Sequence, residues 1–137
     1  MARLRRGERI EHYETVRMRK DGDQPDRYVA WVTPDTEGAW TFEVHAWSDP
    51  MATWEHDAGI KIPAGVDVDL EFTEGGLLLD RVAADPTLTP TEAEVVKGAA
   101  SAAGDLSRPV EARLAALQSP ELMAVLAAHP LRELVTV

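Results

Sequence analysis

The sequence predicts an α+β protein, with strands in its first half and helices in its second. Residues 10–62 alternate polar and apolar side chains with a period near two, which is the pattern of half-buried strands. From about Val66 the apolar residues recur at helical spacing instead. Strands and helices that are segregated along a chain favour an α+β fold over an alternating α/β fold.

The strand half contains a predicted β-hairpin. Its strands are expected over 27–33 and 40–46, on either side of the turn-forming residues 35–38. Trp40, Phe42 and Val44 share one face of the second strand, and we expect that face to lie in the core.

Further strands are expected on both sides of this hairpin. A weaker strand is predicted over Glu11–Arg19, followed by the polar loop Lys20–Asp26. After the turn-forming residues 48–50, one or two short strands are predicted over Thr53–Ile62. Pro63 should end them, because proline has no amide hydrogen to donate to a sheet.

The helical half is predicted to be a small antiparallel bundle of four helices. The first begins near Val66 and carries Leu70, Leu77, Leu78 and Val82 inward, with a kink or break at Gly75-Gly76. The second covers residues 91–103, after the capping sequence Thr89-Pro90-Thr91-Glu92. The third follows residues 107–109, the fourth follows residues 119–121 and ends at 129–130, and a last strand is expected over 131–137.

Composition restricts the function classes. Residues 1–20 carry seven bases and three acids, whereas the other 117 residues carry seven bases and 21 acids. An acidic body repels phosphate groups, so we predict no nucleic-acid partner. The chain has no apolar run long enough to span a membrane and no secretory signal, and it has no cysteine. We therefore expect a cytoplasmic protein without disulfides or a membrane partner.

Two sets of polar residues are candidates for catalytic or metal sites. His45, Glu55, His56 and Asp57 have side chains that suit zinc or manganese, but their spacing is uninformative and adjacent strand residues point to opposite faces. Glu43 and Glu55 resemble the carboxylate pair of glycoside hydrolysis, which requires a sugar cleft between them. Solvated sheet positions are the favoured interpretation of both sets, so we predict no catalytic, cofactor-binding or metal-binding residue.

The tryptophans are stronger candidates for binding. Trp31, Trp47 and Trp54 could form a platform on which sugar rings stack, or could lie at an interface between chains. The alternative is that they fill a core, and core or interface is the favoured interpretation. Trp47 lies on the mixed face of its strand, which makes it the best candidate for exposure.

Several ordered motifs give the chain a family resemblance. They are the segments WVTPD (31–35), EGAWTF (37–42), WSDP (47–50), IKIPAG (60–65) and AHPLR (128–132). In this order and spacing, over roughly Leu4 to Val137, the sequence resembles the amino-terminal accessory region of the α-1,4-glucan:maltose-1-phosphate maltosyltransferases, a branch of the α-amylase superfamily.

This resemblance implies a fold and a role. It implies a partial immunoglobulin-like antiparallel β-sandwich over residues 1–63, a four-helix insert over 64–130 and a return strand over 131–137. It also implies further sandwich strands upstream and a catalytic barrel downstream of Val137, so that no catalytic residue of the family falls on this sequence. A sandwich that lacks strands exposes an edge and an apolar face, and we expect the isolated chain to self-associate or to be marginally stable.

The predicted function is therefore that of a non-catalytic part of an enzyme. The resemblance implies a parent that moves maltosyl units from α-maltose 1-phosphate to α-1,4-glucans in α-glucan biosynthesis. Within it, this part would support the catalytic barrel and contribute to the contact between subunits of a homodimer, and alone it would be inactive and need no cofactor. The alternative is a stand-alone module that binds α-glucan through exposed tryptophans.

Overall fold

The chain forms two compact units that differ in secondary structure. A computed structural model describes the backbone of residues 2–6 and 14–137 and the side chains from residue 15 onward. One unit comprises Met1–Trp47 with Leu134–Val137 and contains strands; the other is Ser48–Glu133 and is helical. The α+β class predicted from the sequence is confirmed, whereas the described strands do not establish a two-layered sandwich.

The strands are short and antiparallel where their register is defined. β1, β2 and β5 form a three-stranded sheet in the order β2-β1-β5, and β3 pairs with β4 and β6 with β7. The strands are β1 (Ala2–Arg6), β2 (Glu14–Val16), β3 (Arg19–Lys20), β4 (Tyr28–Val29), β5 (Trp40–Val44), β6 (Ala46–Ser48) and β7 (Glu133–Thr136). A strand was expected over 131–137, and β7 confirms it. Of the strand predicted over Glu11–Arg19, residues 11–13 lie outside the described part.

The predicted hairpin between residues 27–33 and 40–46 is wrong. β4 pairs instead with β3 across the loop that follows Lys20, and β5 pairs with β1 in a register that places Phe42 opposite Leu4. β4 pairs with β3 because contacts within the loop between them hold the two ends of that loop together. The amide of Asp21 donates to the carbonyl of Arg27 at 2.9 Å, their side chains form an ion pair at 2.9 Å, and Asp26 adopts a left-handed conformation.

Five helices form the helical unit, one more than the four predicted. The four predicted helices are present as α2 (Val68–Ala83), α3 (Pro90–Gly104), α4 (Val110–Leu117) and α5 (Pro120–Ala128). The additional helix, α1, covers Pro50–Lys61. The capping box expected at the start of α3 is confirmed, since Thr89 and Glu92 exchange hydrogen bonds between side chain and backbone.

Helix α1 replaces the strands that were predicted over Thr53–Ile62. Residues 48–50 are a helix start rather than a sheet turn: a carboxylate oxygen of Asp49 accepts a hydrogen bond from the amide of Ala52 at 3.1 Å, and Pro50 occupies the first turn. The apolar residues of this segment recur every three or four positions, which places them on one buried face of a helix. They are Met51, Trp54, Ala58 and Ile62.

Helix α2 also differs from expectation in two respects. It runs through Gly75-Gly76 without a break. Its buried face includes Phe72, Leu79 and Val82, whereas Leu70 and Leu77, which were expected to point inward, are exposed. The buried stripe is displaced because α2 packs against both α1 and α3, so tertiary contacts select the covered face.

The buried core belongs to the helical unit. Among residues whose side chains are described, every apolar side chain classed as fully buried lies between Met51 and Leu126. Phe42 and Val44, expected in the core, are 71% and 45% exposed, and Trp40 is half-buried. A sheet buries a face only when a second layer covers it, and no second layer covers this face among the described residues.

Candidate interaction surface

Strand β5 presents its apolar side chains to solvent. Phe42 and Val44 lie two residues apart and therefore on one face of the strand, and both are exposed. On the other face Glu43 and His45 are half-buried, with His45 Nε2 3.1 Å from Glu43 Oε2. The usual arrangement of a half-buried strand is thus inverted, with apolar groups outside. We define Phe42 and Val44 as the β5 apolar face.

The strand unit exposes other large apolar side chains besides the β5 apolar face. Large apolar groups scattered singly over a surface are ordinary, but a concentration of them within one small unit is typical of an interaction site. The exposed members outside β5 are Tyr28, Trp31, Leu134, Val135 and Val137.

The three candidate tryptophans have different environments. Trp31 is 91% exposed, and Trp47 is half-buried. Trp54 is only 3% exposed and lies in the helical core, so it cannot present its ring to a sugar or to another chain in this fold. The alternative interpretation, that a tryptophan of this set fills a core, therefore holds for Trp54. Trp54 belongs to the helical unit, whereas Trp31 and Trp47 belong to the strand unit.

Trp54 is held tightly between α1 and α2. Its indole Nε1 donates a hydrogen bond of 2.7 Å to the carbonyl oxygen of Glu71. Its ring lies directly against Gly75, where a Cβ atom would approach ring atom Cε2 to 2.7 Å. Position 75 therefore requires glycine, because the Trp54 ring lies against its backbone. This contact explains the presence of Gly75 in the Gly75-Gly76 pair, which was expected to interrupt the helix.

Two charged side chains are buried among the helices. Glu71 is 1% exposed and pairs with Lys61 at 2.5 Å, and this hydrogen bond raises the pKa of Lys61. Arg113 is 5% exposed; its Nε and Nη2 both donate to the carbonyl of Ala103 near the end of α3, and its guanidinium stacks 3.9 Å from the ring centroid of Phe72. Both groups are satisfied by structural contacts, as buried charges require.

A further cluster surrounds His129 at the end of α5. Its Nδ1 lies 3.1 Å from Thr87 Oγ1 and 3.6 Å from Asp85 Oδ2, and its Nε2 lies 3.5 Å from Glu92 Oε1. Hydrogen bonds from the Thr87 hydroxyl and amide lower the pKa of Asp85, and those from the Thr89 amide and hydroxyl lower the pKa of Glu92. Sequence reasoning missed this cluster, because residues about 40 positions apart carry no local signal for it.

The polar residues that were candidates for a metal or catalytic site are distributed over both units. His45 and Glu43 belong to the strand unit, whereas Glu55, His56 and Asp57 lie on α1 of the helical unit. Within residues 15–137, whose side chains are described, no group of three or more histidine or carboxylate side chains is arranged to hold a metal ion. In the same part of the chain, no helix is long and apolar enough to cross a bilayer.

Comparison with known proteins gives the family. The sequence model of "Alpha-1,4-glucan:maltose-1-phosphate maltosyltransferase, domain N/S" matches residues 1–137. The chain is 48% and 49% identical, over 119 and 121 residues, to α-1,4-glucan:maltose-1-phosphate maltosyltransferases 1 and 2 of Streptomyces coelicolor. Each alignment covers 87% of this chain and 18% of the relative.

A more distant relative gives the same result. The α-1,4-glucan:maltose-1-phosphate maltosyltransferase of Mycobacterium tuberculosis is 35% identical over 125 residues, which cover 84% of this chain and 16% of that protein. The chain thus spans less than a fifth of the length of these relatives, and the matched part is the one that the family description names domain N/S. This chain belongs to the domain N/S family of the α-1,4-glucan:maltose-1-phosphate maltosyltransferases.

Proposed function

We propose that this chain is a non-catalytic accessory part of a maltosyltransferase that transfers maltosyl units from α-maltose 1-phosphate to α-1,4-glucans. In that assembly it supports the catalytic barrel and contributes to the contact between two subunits. The family match supports the first statement, and the observation that carries the second is the exposed β5 apolar face. The proposed organisation within the parent is a sandwich that includes the strand unit and an insert formed by the helical unit, with the boundary between Trp47 and Ser48 rather than at the expected 63/64.

The β5 apolar face leaves apolar side chains in contact with water. Removing apolar surface from water yields about 25 cal/mol per Å². Phe42 is 71% exposed and Val44 is 45% exposed, so apolar surface of both side chains remains in contact with water. The partners that follow are the barrel of the parent enzyme and a second copy of the chain.

Association of the purified chain tests this role. Sedimentation velocity over a hundredfold range of concentration should show reversible self-association that Phe42→Ser weakens. Leu77→Ser is the matched control, because Leu77 is 62% exposed but lies on α2 of the helical unit. A chain that stays monomeric over the whole range, with a cooperative melt, contradicts the self-association that we expect.

The catalytic part of the proposal has a direct assay. The purified chain, mixed with α-maltose 1-phosphate and a malto-oligosaccharide, should release no phosphate above a blank without protein. Turnover that rises in proportion to the chain concentration would place an active site within these residues and refute the accessory role.

A second candidate function is glucan binding, favoured by the exposure of Trp31. An indole that is 91% exposed is available for stacking on a sugar ring. Electrophoresis in a native gel that contains glycogen should then retard the chain, and Trp31→Ala should abolish the retardation. Trp47→Ala tests the half-buried indole in the same gel, and Leu106→Ala, at a 79% exposed aliphatic position of the helical unit, is the control. Equal mobility with and without glycogen excludes this function.

A further inference from the structure

Two exposed leucines lie on the side of α2 that faces away from the helical core. Leu70 is 63% exposed and Leu77 is 62% exposed, whereas the opposite face of α2 is buried against α1 and α3. The two leucines are seven positions apart, which is about two helical turns, so they lie along one line of the helix surface about 10 Å apart. We define Leu70 and Leu77 as the α2 outer face.

Exposed apolar side chains also occur where α1 meets α2. Lys61, the last residue of α1, pairs with Glu71 in the first turn of α2 at 2.5 Å, and this contact brings the end of α1 to the start of α2. Ile60 precedes Lys61, and the amide of Val66 donates to the carbonyl of Lys61 at 2.9 Å; both apolar side chains are exposed. This junction contains the ordered motif IKIPAG (60–65), which the exposed strand surface does not explain.

Carboxylates flank these apolar side chains. Residues 57–80 carry six acids and one base, and that base is already paired with the buried Glu71. Helical geometry places Asp69 and Asp80 on one side of the α2 outer face and Glu74 on the other. Where side chains are described, none of these three exposed carboxylates forms an ion pair with a basic side chain. The surface is therefore apolar along its middle and negatively charged on both sides.

This combination of apolar area and charge selects one kind of partner. A second copy would bring the same excess of carboxylates to the contact, and like charges that face each other oppose association. Phosphate groups, whether of a nucleic acid or of an anionic lipid, are repelled for the same reason. A helix with a stripe of leucine-like side chains and with lysine or arginine beside that stripe matches both features. Its apolar stripe removes the leucines from water, and its cations pair with the flanking carboxylates.

We propose that the α2 outer face docks a cationic amphipathic helix of the parent enzyme, from the part that lies outside the residues matched here. This docking rests on the proposed accessory function, and it gives the helical unit a surface through which it supports the rest of the enzyme. Most of the parent is available to supply the helix, because the matched residues make up 18% of each Streptomyces coelicolor relative.

A peptide titration tests the chemistry of the α2 outer face. The probe is a peptide of about three heptads with leucine on one stripe and lysine elsewhere, and its control has glutamate in place of every lysine. In NMR spectra the lysine peptide should shift the methyl resonances of Leu70 and Leu77, and binding should weaken as added salt screens the charges. Leu77→Ser should weaken binding about 5- to 20-fold, the effect expected for a leucine side chain removed from water. Absence of binding, or equal binding of the glutamate peptide, overturns the proposal.

Two charge reversals distinguish a specific surface from general attraction to an acidic protein. Glu74→Lys lies beside the α2 outer face and should weaken binding about 3- to 10-fold, because it replaces an attraction by a repulsion. Glu111→Lys makes the same change in net charge at an exposed position of α4 and should leave binding the same within about twofold. Equal losses in the two variants would show that the attraction is not specific to α2, and would overturn the proposal.

A peptide array tests whether the parent enzyme supplies the helix. Overlapping synthetic peptides should cover α-1,4-glucan:maltose-1-phosphate maltosyltransferase 1 of Streptomyces coelicolor outside the region that aligns with this chain. At least one basic amphipathic segment should bind the labelled wild-type chain, and Leu77→Ser should remove that signal. An array without such a signal overturns the assignment to the parent even if the lysine peptide binds.

Sedimentation velocity separates a failure of this proposal from a failure of the accessory role. Leu77→Ser should leave self-association of the chain unchanged, whereas Phe42→Ser should weaken it. Loss of self-association in Leu77→Ser would assign the α2 outer face to contact between copies and overturn the proposal. Binding to phosphatidylcholine vesicles that Leu77→Ser abolishes would assign it to a lipid surface, with the same consequence. Release of phosphate from α-maltose 1-phosphate by the chain would instead refute the accessory role itself.

Discussion

The contact between Trp54 and Gly75 predicts opposite effects for one substitution at two adjacent glycines. Alanine normally stabilises a helix interior by about 1 kcal/mol relative to glycine. At Gly76 the added Cβ would meet only the Cβ of Ala103 at 3.9 Å, an ordinary contact. At Gly75 it would lie 2.7 Å from ring atom Cε2 of Trp54, closer than carbon atoms can approach.

The expected change in the free energy of unfolding follows from the packing and the hydrogen bond that the Trp54 indole would lose. Overpacking a well-filled core costs about 1–3 kcal/mol. If the ring moves, its 2.7 Å hydrogen bond to the Glu71 carbonyl weakens, which costs about a further 1 kcal/mol. After the gain in helix propensity, Gly75→Ala should destabilise the chain by about 1–3 kcal/mol. Gly76→Ala should stabilise it by up to about 1 kcal/mol, so the two variants should differ by about 1–4 kcal/mol.

Urea denaturation followed by circular dichroism at 222 nm measures this difference. The dependence of the unfolding free energy on urea should be the same for both variants, because neither changes the surface exposed on unfolding. Combining Gly75→Ala with Trp54→Phe should be markedly non-additive, since the smaller ring relieves the close approach. If Gly75→Ala stabilises the chain as much as Gly76→Ala does, the packing of α1 on α2 described here is wrong.

Three further predictions concern the helical unit. Arg113→Leu should lower the free energy of unfolding by about 2–3 kcal/mol in urea, because the carbonyl of Ala103 loses both of its donors; an unchanged midpoint would contradict that role. Thr89→Ala should cost about 1 kcal/mol in thermal melts and Thr89→Ser much less, and equal losses would argue against capping. Hydrogen bonds from Thr87 lower the pKa of Asp85 in the folded state. The stability that ionised Asp85 contributes is therefore fully present above its unfolded-state pKa and is lost as the pH falls through its folded-state pKa. Asp85→Asn should therefore lose less stability than the wild-type chain between pH 5 and 3, and parallel pH profiles would refute the linkage.

Local sequence patterns were sufficient to predict much of the structure of the helical half. The capping box of Thr89 and Glu92 predicted the start of α3, and residues 119–121 and 129–130 predicted the two ends of α5. The ordered motifs predicted the family, which the family model and the relatives confirm. These features depend on local geometry or on the order of residues, which the sequence contains in full.

Helix α1 could have been predicted but was not. Asp49-Pro50 has the form of a helix start, and Met51, Trp54 and Ala58 have helical spacing. The alternation of polar and apolar residues over 10–62 favoured strands for this segment instead. With α1 read as strands, Trp54 was placed among the exposed candidates, and its contact with Gly75 could not be foreseen.

Other features were decided only by the tertiary structure. A period of two separates the two faces of β5 but cannot tell which face is covered, since that depends on whether a second layer lies over Phe42. Pairing of β5 with β1 joins residues almost 40 positions apart, and the same separation joins His129 to Asp85 and Glu92. The sequence by itself determined the α+β class, the helix caps and the family, because each depends on neighbouring residues or on the order of motifs along the chain. Strand pairing, the exposed apolar face and the His129 cluster required the folded chain, because they depend on distances between residues that no local pattern specifies.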